Sequence, residues 1–105
     1  MRKIVYDRNT IKDYKAFYED IVKKLDADRF VDWQGETNLN YNANNLSELL
    51  WYCHKDNVEF VFLNFDLDQI ENYKTTENYE WNNIFTVIKK FTTQYANNAI
   101  TFVNV

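Results

Sequence analysis

Val58-Glu59-Phe60-Val61-Phe62-Leu63-Asn64-Phe65 is a nearly continuous apolar run of β-formers, and no other segment constrains the fold as strongly. A run of this kind reads as a strand buried on both faces, the central strand of a parallel sheet. Two weaker β-rich runs lie at the ends of the chain, Lys3-Ile4-Val5-Tyr6 and Ile100-Thr101-Phe102-Val103-Asn104-Val105. Between the runs the hydrophobic period changes from two to about 3.6. Ile11, Tyr14, Phe17, Tyr18, Ile21, Val22 and Leu25 fall on one helical stripe; Trp81, Ile84, Phe85, Ile88, Phe91 and Tyr95 fall on another.

Helix starts are sought in side chains that can accept the unpaired N–H groups of a first turn. Thr10, with Asp13 three residues on, predicts the start of the first helix. Asn45, with Glu48 three residues on, predicts a short helix that turns Leu46, Leu49, Leu50 and Cys53 inward, with Trp51 and Tyr52 to the side. Asp66 predicts a helical turn through Leu67 and Ile70. Residues 71–80 are polar and read as loop, and residues 26–44 lack periodicity. Asparagine takes over the turns at Asn44-Asn45, Asn82-Asn83 and Asn97-Asn98, because the chain has one Gly and no Pro. The order is β-α-loop-α-β-α-α-β. Helical connections favour parallel pairing. The expected fold is α/β, a single domain over residues 1–105: two layers, with helices packed on a small three-stranded parallel sheet.

Composition narrows the function. A chain of 105 residues with one Cys cannot form an internal disulfide, which is unusual for a small secreted domain. The first residues are too polar for a signal peptide, and no apolar run approaches a membrane span, so a soluble cytoplasmic protein is expected. The net charge of −4 is unevenly distributed. Twelve acids and three bases lie between Asp26 and Glu80, which gives the middle −9; the flanks carry +5. An acidic centre repels nucleic acid and attracts basic surfaces, or serves only as a solvated face.

Chemistry is sparse. Cys53 and His54 are the only residues of their types, and neighbours on a helix point about 100° apart, so they make neither a metal site nor a nucleophile-base pair. A core cysteine and a solvated histidine are expected. Gly35 alone cannot build a phosphate loop. Asp66 and Asp68 are a chance pair among many acids. No catalytic residue, metal or cofactor is therefore expected. Protein recognition remains. Trp33, Tyr41, Trp51 and Tyr52 lie among acids, the wrong sign for nucleic acid, and such rings are common anchors of interfaces. Acids around them steer a basic partner. Core packing explains Trp33, Tyr41 and Trp51 equally well.

Asn45-Leu46-Ser47-Glu48-Leu49-Leu50-Trp51 resembles the Tyr-Gly-x-Asn-Leu/Trp-Asp-Ala-Leu-Trp-Asp segment of the barstar family, small inhibitors of a bacterial ribonuclease. Val87-Ile88-Lys89-Lys90-Phe91 with Ile100-Thr101-Phe102-Val103 resembles that family's last helix and strand, and the order of elements resembles its layout. Ser47 and Trp51, or Glu48 and Tyr52 if the alignment shifts by one, stand where the family has two aspartates. Residues near Thr92, Thr93 and Asn97 replace its late acids, and a stretch around Gly35 to Asn44 blurs its Tyr-Gly pair. The resemblance implies a barstar-like fold and an immunity protein that covers the active cleft of a cognate ribonuclease toxin, as in bacterial competition systems. The divergence implies a target other than the usual one. The partner-binding residues expected on this basis are Asp32, Trp33, Glu36, Tyr41, Asn45, Ser47, Glu48, Trp51 and Tyr52. The alternative is an interaction module or regulator unrelated to toxins, with homodimerisation through exposed aromatics as one form of it.

Overall fold

The computed structural model describes residues 2–25, 42–72 and 74–105. In chain order these form β1 (Arg2–Asp7), α1 (Tyr14–Lys24), α2 (Ala43–Tyr52), β2 (Val58–Leu63), α3 (Leu67–Glu71), α4 (Thr76–Gln94) and β3 (Ala99–Val103). The architecture is α/β, with a parallel sheet ordered β1-β2-β3. Each strand pair is joined through helices, as parallel pairing demands.

Register decides which side chains meet. Ile4, Phe60 and Ile100 lie in one row across the sheet, and Tyr6, Phe62 and Phe102 in the next. These rows face the helices. Phe62 is at the centre, its ring 4.8 Å from Phe85 of α4, 5.9 Å from Tyr6 and 6.1 Å from Phe17 of α1. Trp81 is fully buried against Phe65, with ring centroids 4.7 Å apart. Edge-to-face pairs of this kind add about 1 kcal/mol each to the area they bury.

The opposite face carries Lys3, Glu59, Val5, Val61, Thr101, Leu63 and Val103, all half-buried or exposed. Val5 is 45% exposed and Val103 38%. This corrects the expectation that β2 is buried on both faces. Its residues alternate, Val58, Phe60 and Phe62 buried and the others intermediate. Period two shows through once only one face is covered. Glu59 gives the open face its polarity, 3.6 Å from Lys3 Nζ and accepting the Thr101 hydroxyl at 3.1 Å.

Three helix starts differ from expectation. Asp13 caps α1, accepting the Ala16 N–H at 2.9 Å. Thr10 belongs instead to the turn after β1, its hydroxyl donating to the Asp7 carbonyl. Asn42 caps α2 through the Asn44 N–H, so Asn45 is already helical. Thr75 caps α4, which therefore takes in residues read as loop. Asn44-Asn45 and Asn82-Asn83 are helical rather than turns; Asn97-Asn98 does sit in a turn. Asp66 caps α3 as expected, accepting the Gln69 N–H.

At the carboxyl end of β2, Asn64 adopts a left-handed backbone with φ of 63°. Asn tolerates this conformation better than most residues because its short side chain bonds locally. Here the amide donates to Asp7 Oδ1 at 3.2 Å and accepts the Val105 N–H at 2.9 Å. One side chain thus ties the ends of all three strands together.

Candidate partner-binding site

The sequence of α2 separates cleanly into two faces. Leu46, Leu49 and Leu50 are buried in the common core. Ser47, Glu48, Trp51 and Tyr52 are exposed, Trp51 at 53% and Tyr52 at 43%. These four share a face because they are three and four residues apart. Asn45 is half-buried at the margin. Five of the nine residues expected to bind a partner are therefore on α2, and four of those form its outward face. Asp32, Trp33, Glu36 and Tyr41 lie outside the described residues.

The exposed rings are held in place. Trp51 packs edge-on to Tyr52 with centroids 5.1 Å apart. The His54 ring stacks on Trp51 at 6.0 Å and lies tilted against Tyr95, the residue that caps the end of α4, at 4.7 Å. His54 Nδ1 lies 2.6 Å from the Trp51 carbonyl oxygen. His54 is thus half-buried between two rings rather than simply solvated. Cys53 is buried as expected, its thiol donating to the Leu25 carbonyl at 3.1 Å.

Below Trp51, a groove of about 300 Å³ runs between α2 and α4. Trp51, Val87, Phe91 and Tyr95 supply its apolar walls; Ser47, Gln94 and Lys90 supply polar groups. Its amide neighbourhood continues at the turn after α4. There Asn98 is buried, accepting the Val58 N–H at 2.9 Å and donating to the Tyr95 and His54 carbonyls. Sequence reasoning missed Lys90, Phe91 and Tyr95 as groove residues. Phe91 and Tyr95 were read as core stripe, and nothing in the local pattern says that α2 leaves one side of that stripe uncovered.

Among the described residues, the acids do not gather on this face. Glu48 is the only ionised residue of α2. Glu59 is on the open sheet face, Asp66 and Asp68 are at α3, and Glu77 is turned inward on α4, where it binds Trp81. Among the described residues, no group of His, Cys, Asp and Glu could hold a metal ion, and no helix is long and apolar enough to cross a membrane. Comparisons with protein-family models, curated proteins and solved structures find no match for the chain.

Proposed function

We propose that this chain is a barstar-like immunity protein that binds and neutralises a cognate ribonuclease toxin, with the outward face of α2 laid over the toxin's cleft. The observation that carries the reading is the pair of adjacent exposed rings, Trp51 and Tyr52, set beside Glu48 on a helix whose other face is fully buried. Leaving a large ring in water forgoes about 2 kcal/mol that burial would return. A partner that covers both rings recovers that energy, and Trp and Tyr are the residues that most often dominate such contacts. The element order, with α2 leading into the central strand, agrees with the layout implied by the resemblance. Glu48 supplies a carboxylate for an Arg or Lys that otherwise holds an RNA phosphate, and the net charge of −4 favours encounter with a basic cleft. In the alignment shifted by one, Glu48 and Tyr52 stand where the family has its two aspartates.

The test is capture from the native cell on immobilised protein, followed by a ribonuclease assay on the retained fraction. A retained nuclease that is silent in complex and active once released is the expected result. Trp51→Ala weakens capture by about thirtyfold, the size of a hot-spot loss. Glu48→Lys weakens it further in low salt, whereas Lys23→Glu on α1 leaves it unchanged. Retention of partners without nuclease activity decides for the alternative, an interaction module unrelated to toxins.

A further inference from the structure

The α2–α4 groove has a chemistry of its own, distinct from the acidic surface expected on α2. Its walls are Trp51, Val87, Phe91 and Tyr95, and among the described residues the one charged side chain in its lining is a cation, Lys90. Among the described residues, Lys90 has no carboxylate within ion-pair distance, unlike Lys3 and Lys24. About 300 Å³ is at the lower end of ligand-sized cavities, enough for one large side chain and its neighbour. At one end the His54 ring lies between Trp51 and Tyr95, linking α2 to the end of α4.

We infer that this groove receives an apolar side chain of the bound partner with a carboxylate beside it. The apolar group lies between Trp51 and Phe91, and the carboxylate meets Lys90 Nζ. This deepens the binding role proposed above for α2 and rests on it. The partner then meets both signs: its cation on Glu48, its acidic anchor on Lys90. Such a two-sign contact fixes register, because a slide along α2 brings like charges together. It also explains why the face can work with a single acid on α2.

The probe is N-acetyl-L-leucine, an apolar side chain next to a carboxylate, titrated into the isolated protein and followed by amide and indole NMR signals. The uncharged N-acetyl-L-leucinamide is the comparison. The expected result is saturable shifts at Trp51 and Lys90. Lys90→Ala weakens the carboxylate by about twofold to fivefold, the range for an exposed ion pair, and leaves the amide unaffected. Lys89→Ala, whose ammonium lies over the Phe102 ring instead, changes neither. Equal binding of the two probes overturns the assignment. So does absence of probe binding alongside Trp51-dependent capture of the nuclease, a result that leaves the toxin reading standing. Probe binding with capture indifferent to Trp51→Ala overturns the groove's assignment to that partner. A dimer of the isolated chain that Trp51→Ala dissociates gives the groove to a second copy and overturns it likewise.

Discussion

Trp81 donates its indole N–H to Glu77 Oε2 at 2.6 Å, one helical turn back on α4. The same oxygen accepts the backbone N–H of Tyr14, the first residue of α1, at 2.7 Å. One carboxylate therefore satisfies the buried indole of the core and an unpaired donor at a helix start, and it joins two helices distant in sequence. First-turn N–H groups have no partner within their own helix, so an external acceptor is needed. Glu77→Ala leaves both donors unmet in a partly buried place. Unsatisfied donors cost about 1–3 kcal/mol each. Glu77→Ala should lower unfolding stability by about 2–4 kcal/mol in a denaturant titration, and Glu77→Gln, which keeps one acceptor oxygen, by clearly less. Equal losses for the two variants would show that the bonds to Tyr14 and Trp81 matter little.

Asn98 is the buried polar side chain that closes the turn between α4 and β3. Its oxygen accepts from Val58 at the start of β2, and its amide faces the carbonyls of Tyr95 and His54. Asn98→Ala should cost about 2–3 kcal/mol, the loss of several bonds with their partners left buried. Asn98→Asp keeps the acceptor but turns the amide's donors into lone pairs aimed at two carbonyl oxygens. Its folded form should therefore bind a proton more readily than its unfolded form, and its stability should recover as pH falls. Thermal melts at neutral and mildly acidic pH measure this; a variant equally stable at both would refute it.

Tyr6 and Tyr18 set an alkaline limit. Burial pushes both hydroxyls well above the ordinary tyrosine value of 10.0, with the Asp20 carboxylate adding to the effect at Tyr6 and that of Glu80 at Tyr18. The folded protein then keeps protons that the unfolded chain releases above about pH 10. Stability from these groups is fully present below that pH and falls progressively above it, as pH rises toward the raised folded values. With two such groups the slope approaches about 2.7 kcal/mol per pH unit. Unfolding midpoints measured from pH 8 to 11.5 should stay level and then fall steeply. Tyr6→Phe should remove about half of the slope. An unchanged slope would assign the alkaline loss elsewhere.

The long periodic segments were legible in the sequence. The stripes through Phe17 and Ile21 and through Ile84 and Ile88 became the buried faces of α1 and α4. The run from Val58 became the central strand. Helix starts were less legible, because Thr10 and Asp13, or Asn42 and Asn45, are all competent caps within a few residues. The choice fell to contacts far away in sequence. Thr10 is held by the turn after β1, and Glu77 anchors the start of α1 at Tyr14. The first turn of α4 read as loop because its polar residues include Glu77, whose partner Tyr14 is invisible to local pattern. On α2, the outward position of Ser47, Glu48, Trp51 and Tyr52 follows from helical spacing once Leu46, Leu49 and Leu50 are placed inside.

Sequence by itself settled the class of fold here: three β-rich runs separated by helical stripes pair in parallel, since helices connect them and period and composition are local properties. Tertiary structure decided which face of the sheet is covered, that the described acids from Glu48 to Glu77 lie on several elements rather than on one face, and that α2 and α4 leave a groove beside Trp51. Those outcomes depend on which elements touch, and the energy of a contact between residues dozens of positions apart is written in no short stretch of chain.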